Sequence, residues 1–339
     1  RPLGAVGFAG DDAPNARSRR QHAAASAPPV VPPTIAPLTS EPVLRALRER
    51  PAWSPSAIET WISCPVKWFV GRHLGLDGLD PDAEPLRRGT LAHAVLERVV
   101  PQLEAGGGIA VASPEARRAL VAEVLGELSP EHPMAVNPEQ LEAGLRRLEA
   151  DLVGYLEQAA GRTSCFRPAE YELSFGGDDD ELEAPEIADG VRLRGTIDRV
   201  DLDDARRRAI IYDYKGRGPQ KGRANWIDEG RIQVLLYMLA VRTLLGVTPV
   251  GGFYQPLNAA GHRPRGILLD GADPDLETFD KDLVDADALE ELLGEAATIA
   301  ERAVAEIRAG ALTPRPGTCG YQGGGCEHPS ICRAPAVLG

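Results

Sequence analysis

No stretch of this chain restricts its fold more than GTIDRVDLDDARRRAIIYDYKG, Gly195 to Gly216. Two runs rich in β-branched and aromatic residues flank a polar segment, the pattern of an antiparallel hairpin. With the turn at residues 204–207, Asp198 falls opposite Asp213. Side chains alternate along a strand, so Asp213 and Lys215 share a face and Asp198 projects beside them, with Cβ atoms about 5 Å apart. A slip of one residue would send the whole set to the opposite face.

Two facing carboxylates repel unless a cation lies between them. A hard divalent ion resolves the conflict, because Mg²⁺ or Mn²⁺ accepts carboxylate oxygens, backbone carbonyls and waters and polarises a phosphate. Lys215 is one of four lysines among 37 basic residues. Its compact, tunable amine suits orienting or deprotonating a water and offsetting charge on a phosphorus centre, which arginine does less well. Read alone, the same D-x-K is equally a solvent-facing strand end with a salt bridge, since short motifs match by chance.

The rest of the chain supplies context. With 339 residues, 43% of them hydrophobic, it is long enough to bury a substantial core. The net charge of −13 argues against a general polyanion binder, so any nucleic-acid contact must be a local basic groove; Arg199, Arg217, Lys221 and Arg223 flank the hairpin site in sequence. No apolar run approaches the roughly 20 residues of a membrane helix, and Arg1 begins neither as an initiator methionine nor as a signal peptide. The expectation is a soluble, cytoplasmic piece of a longer protein. Residues 1–51, rich in Pro, Ala and Ser, read as a disordered linker, and residues 52–339 as the folded domain.

Around Cys64-Pro65 the apolar spacing predicts two short helices with the cysteine at their junction. Helical patterns over 86–100, 114–128 and 138–160 precede three strands at 169–176, 191–202 and 208–216. A helix near 228–246, a strand at 250–257 and a long helix near 286–309 follow. The five cysteines lie at 64, 165, 319, 326 and 332, an odd number in a chain with no mark of secretion, so metal or cluster ligation is favoured over disulfides.

Asp198 and Asp-x-Lys on a hairpin resemble the core of PD-(D/E)XK nucleases, and three further segments match the RecB-like branch of that family in order. GTLAH, Gly89 to His93, resembles its G-x-x-x-H helix motif; YELSF carries Glu172 at its acidic strand position; QVLLY, Gln233 to Tyr237, resembles its Q-x-x-x-Y motif. The resemblance implies an α/β fold with a restriction-endonuclease-like core, a mixed central sheet flanked by helices, and a helical insert. It implies a metal held by His93, Asp198, Asp213 and the Tyr214 carbonyl. It further implies catalytic roles for Asp198, Asp213, Lys215, Glu172, Gln233 and Tyr237.

The cysteine pattern, one remote Cys64 and the cluster Cys319, Cys326 and Cys332, resembles the iron-sulfur staple of AddB-type nuclease domains, which implies a [4Fe-4S] cluster. The spacing departs from the family by a glycine-rich insertion after Cys319. On ligand count four thiolates suit structural zinc equally well, with His328 as a substitute ligand. Cys165 lies outside the pattern and reads as a small buried residue. The resemblance therefore implies a DNA exonuclease domain of a helicase-nuclease that processes double-strand breaks, with DNA ends and a helicase as partners. A CRISPR-associated iron-sulfur exonuclease and a nonenzymatic DNA-end binding module are the alternatives.

Overall fold

The computed structural model describes residues 16–17, 35–76, 84–135, 137–216, 222–258, 263–315, 319 and 328–332. Its hairpin has the register expected from the turn. Strand β4, Gly195–Asp203, pairs antiparallel with β5, Arg208–Lys215, and Arg199 faces Tyr212. The turn residue Arg206 takes a left-handed φ of 52°, and Asp203 holds the corner by accepting the backbone N–H groups of Arg207 and Arg208 at 2.8 and 3.0 Å.

Around this hairpin a six-stranded mixed sheet assembles in the order β1-β4-β5-β6-β7-β8. Strand β1, Phe166–Phe175, pairs antiparallel with β4. Strand β6, Thr248–Pro256, runs parallel to β5 after a crossover through a helix, Gln233–Leu245. Two short strands that the sequence pattern did not disclose, β7 at Arg265–Leu269 and β8 at Leu283–Val284, extend the far side. A separate pair, β2 at Glu186–Ala188 and β3 at Val191–Arg192, lies outside this sheet.

Helices cover the sheet as the periodicity predicts. In chain order they are α1, Glu41–Arg48; α2, Pro55–Ser63; α3, Pro65–Trp68; α4, Glu84–Ala105; α5, Pro114–Leu128; α6, Pro138–Ala160; α7, Gln233–Leu245; α8, Ala286–Arg308; and α9, Pro329–Cys332. Cys64 sits extended between α2 and α3, and α3 continues into a π-helical turn, Phe69–His73. The helix α7 begins five residues later than expected because Gly230 adopts a φ of 66°, where a Cβ would collide with Ile62. Within β6, Gly252 leaves room for α7, since a side chain there would strike Val234 and Met238.

The leader departs from its reading as a tether over the described part, 35–50. Pro42 occupies the first turn of α1, the one place in a helix where proline is well tolerated. Leu47 is then fully buried, and the Leu38 N–H bonds the carbonyl of Gly310 just past α8. Apolar residues spaced to meet α8 outweigh the Pro-rich composition around them.

The helices α4, α5 and α6 share one apolar cluster that also receives Tyr214 and Leu257. The larger cluster joins α2, α3, α7 and α8 to the opposite side of the sheet. It includes Trp61 packed edge-on against Trp68 at 5.3 Å, a geometry worth roughly 1 kcal/mol beyond burial. Among the described residues no helix is long and apolar enough to cross a membrane.

Candidate active site

Three elements deliver three ligand atoms to one point. The α4 helix carries His93, β1 carries Glu172 and β4 carries Asp198, and one ligand atom from each lies within 4.8 Å of the other two. His93 Nδ1 is 3.3 Å from Asp198 Oδ1 and 3.5 Å from Glu172 Oε1. Tyr214 packs edge-on against the imidazole at 5.7 Å, and its backbone N–H donates to Asp198 Oδ2. Glu172 reaches the site from a left-handed φ of 42°, an unusual conformation for glutamate. Backbone in this region is held against its own preference by the surrounding structure, as is common where a side chain must be aimed.

The charges favour a bound cation. Burial alone would lower the proton affinity of His93, but hydrogen bonds to Asp198 and Glu172, with their negative charge, overcome it and raise the imidazole to about 10. Burial pushes the Asp213 carboxyl up to about 7; Lys215 counteracts this only in part, and Asp198 adds to it. An imidazole nitrogen and two carboxylate oxygens meeting at one point fit a Mg²⁺- or Mn²⁺-type ion.

Beside the triad lies Lys215. Its Nζ pairs with Asp213 Oδ2 and donates to Gln233 Oε1 at 3.4 Å. Gln233 in turn donates through Nε2 to the Tyr237 hydroxyl at 3.3 Å, one turn along α7. Glu59 of α2, which no sequence motif singled out, accepts the backbone N–H of Gln233 at 2.7 Å and so fixes the start of that helix. The only sequence signal for Glu59 is an acid set within an otherwise apolar helix face. The Tyr254 ring lies 5.2 Å from Lys215 Nζ and completes its surroundings.

A cleft of about 550 Å³ opens onto this group, lined by Gly89, His93, Glu97, Glu172, Lys215 and Gly216 among others. The sequence candidates His93, Glu172, Asp198, Asp213, Tyr214, Lys215, Gln233 and Tyr237 are thus neighbours. Asp213 stands apart from the convergent triad, with one oxygen engaged by Lys215.

The expected basic track is different. Arg199 is buried, pairing with Asp201 at 2.8 Å and donating to the Tyr155 hydroxyl at 2.7 Å. Side chains alternate along β4, so Arg199 points to the face opposite Asp198, against Tyr155 and Tyr212. Arg223 donates to the Leu283 carbonyl at 3.3 Å, and Arg217 and Lys221 lie outside the described residues. Of the cysteines, Cys64 and Cys332 are buried in the same apolar cluster and Cys319 is half-buried; Cys326 lies outside the described residues. Cys165 is exposed, not buried as expected, because it precedes β1 at the sheet's margin, where its thiol lies 3.8 Å from the Ala272 carbonyl.

A family model described as the PD-(D/E)XK nuclease superfamily matches residues 52–333, most of the chain. The chain belongs to the PD-(D/E)XK nuclease superfamily. A curated relative from Symbiobacterium thermophilum, a subunit of an ATP-dependent helicase/deoxyribonuclease, is 28% identical over 229 residues. That alignment covers 62% of this chain and 20% of the relative, so the chain matches about a fifth of that protein's length. The mixed sheet with flanking helices agrees with the restriction-endonuclease-like fold, and membership of the superfamily supports a nuclease role.

Proposed function

We propose that this chain is a metal-dependent DNA exonuclease domain of a cytoplasmic helicase-nuclease that processes double-strand breaks for recombinational repair. The observation that carries the reading is the convergence of His93, Glu172 and Asp198 beside Lys215 at the floor of an open cleft. His93 Nδ1, Glu172 Oε1 and Asp198 Oδ1 would hold the ion, with Asp213 and the Tyr214 carbonyl as further ligands. When bound, the ion supplies Lewis-acid polarisation of the phosphate and activation of water.

The protein's own part is positioning and charge. Tyr214 fixes Asp198 through its amide. Gln233 and Asp213 hold Lys215 so that its ammonium faces the cleft, where it would hydrogen-bond the attacking water and offset negative charge on the phosphate oxygens. Water adds to phosphorus, the bond to the 3′ oxygen breaks, and that oxygen leaves with a proton. The partners are DNA ends and a helicase subunit or region, in keeping with the relative's name.

We assign Cys64, Cys319, Cys326 and Cys332 to a structural [4Fe-4S] cluster, with zinc as the other occupant that four thiolates suit. The support is that Cys64 and Cys332, 268 residues apart, are buried in one apolar cluster. Iron and zinc analysis of anaerobically purified protein separates the two.

The deciding experiment is Mg²⁺- and Mn²⁺-dependent cleavage of linear single- and double-stranded DNA, with Lys215→Ala as the paired control. Metal-dependent cleavage that disappears in the variant supports the assignment. Cleavage retained in Lys215→Ala, or DNA binding without cleavage by folded wild-type protein and its helicase partner together, overturns it in favour of a binding module.

A further inference from the structure

A basic face lies just upstream of the strand that carries Asp198. Trp53 donates its backbone N–H to the Arg192 carbonyl at 2.9 Å, and Arg194 donates its own N–H to the Trp53 carbonyl at 3.0 Å. This pairing brings Arg50 to Arg194. Arg50 lays its guanidinium over the Trp53 ring at 5.0 Å, and Trp53 meets Trp68 at 6.1 Å. Trp68 is stacked with His73 at 6.4 Å and an interplanar angle of 15°, which fixes the π-helical turn bearing Arg72 and His73 on the same side.

These cations repel one another. Burial lowers the proton affinity of Arg50, and the charges of Arg194 and Arg72 lower it further; His73 is lowered by burial and then by Arg50. Their sequence neighbours behave differently, since Arg48 pairs with Glu41 and Arg192 with Glu186. Among the described residues no carboxylate lies within 4.0 Å of Arg50, Arg72 or Arg194. In a chain with 50 acidic residues against 37 basic ones, unneutralised like charges gathered on one face suit an anionic ligand that repeats along its length.

The face is also connected to the cleft. Arg194 precedes Asp198 by four residues, about 13 Å along extended chain. Between them Gly195 lies against Tyr237, whose hydroxyl would be 3.7 Å from a Cβ at that position, and Tyr237 reaches Lys215 through Gln233. Phosphates along one strand of a duplex rise 3.4 Å each, so 13 Å spans about four of them.

We propose that Arg50, Arg72 and Arg194 bind the phosphate backbone of the substrate DNA strand, about four nucleotides from the bond that is cut. This rests on the nuclease reading of the cleft. The face gives a chain of net charge −13 its grip on a polyanion and sets the shortest DNA that is held well.

The test uses two variants, Arg50→Gln/Arg72→Gln/Arg194→Gln and the double Arg72→Gln/Arg194→Gln, whose two side chains are exposed and leave the Arg50–Trp53 stack intact. Each is placed also in the Lys215→Ala background, and binding of a fluorescent oligonucleotide of about 20 nucleotides is followed by anisotropy as salt is raised. Each lost phosphate contact should flatten the slope of log K against log salt by about 0.7–0.9. In the Lys215-intact proteins KM for the long oligonucleotide should rise at least about tenfold with kcat unchanged, while a dinucleotide is cut as by wild type.

An unchanged salt slope and KM in both variants would overturn the proposal and point to an acidic protein partner for this face. Folded wild-type protein that, together with its helicase partner, binds DNA without cutting it would sink the nuclease reading, whereas the anisotropy slopes would still decide the basic face.

Discussion

Tyr214 donates its backbone N–H to Oδ2 of Asp198, which leaves Oδ1 facing His93 at 3.3 Å. One carboxylate therefore ties the end of β5 to β4 and also offers an oxygen to the metal centre. Asparagine retains an acceptor for the amide but not the charge. Asp198→Asn should keep the fold and weaken Mn²⁺ binding by at least about tenfold, with cleavage falling in step. Calorimetric titration of Mn²⁺ into both proteins checks this, and equal affinities would place the ion elsewhere.

The link from Lys215 through Gln233 to Tyr237 makes Gln233 a positioning residue. Gln233→Ala frees the ammonium to swing and should lower kcat roughly tenfold while Mn²⁺ affinity stays as in wild type. Tyr237→Phe, which removes only the far hydroxyl, should cost less. A parallel loss of metal affinity in Gln233→Ala would assign the residue to the centre itself.

Much of this site was legible because a hairpin has few degrees of freedom. With the turn at 204–207, side-chain alternation places Asp198, Asp213 and Lys215 together, and the structure has that register. Helical spacing likewise puts Gln233 and Tyr237 on one face. What escaped depends on tertiary packing. The left-handed φ of Glu172 has no sequence marker, and the closeness of Glu59 to Gln233 joins segments 174 residues apart. Arg199 reads as part of a basic groove because it flanks the hairpin site in sequence, whereas here the helical insert covers that face and Tyr155 accepts its hydrogen bond. The strands β7 and β8 are too short to show a period.

That buried pair makes its own prediction. Arg199 and Asp201 are 7% and 4% exposed, with Nε and Oδ1 2.8 Å apart and the guanidinium 4.1 Å from the Tyr212 ring centre. Removing one partner strands the other charge in the interior, so Arg199→Met should destabilise the domain by about 3–5 kcal/mol. Replacing both, as Arg199→Met with Asp201→Leu, should restore much of the loss, since desolvating the pair opposes its attraction. Urea unfolding of the three variants measures the coupling, and simple additivity would show that the charges do not depend on one another.

The hairpin corner gives a dependence on pH. Partial burial raises the Asp203 carboxyl, but hydrogen bonds from the Arg208 side chain and from the Arg208 and Arg207 backbone amides prevail and hold it at about 2, below its usual 3.8. A carboxylate lowered on folding contributes stability that is fully present above its unfolded value and is lost as pH falls through its folded value. Asp203→Asn removes this contribution, because an amide accepts fewer charge-assisted bonds. The stability gap between wild type and variant should therefore stay level from pH 7 to about pH 5. It should narrow below pH 4, with about half of the ionisation-linked part left at pH 3. Paired urea midpoints at pH 6 and pH 3 read the effect. A gap that is the same at both would mean that the corner is held by neutral hydrogen bonding, with no part played by the ionised carboxylate.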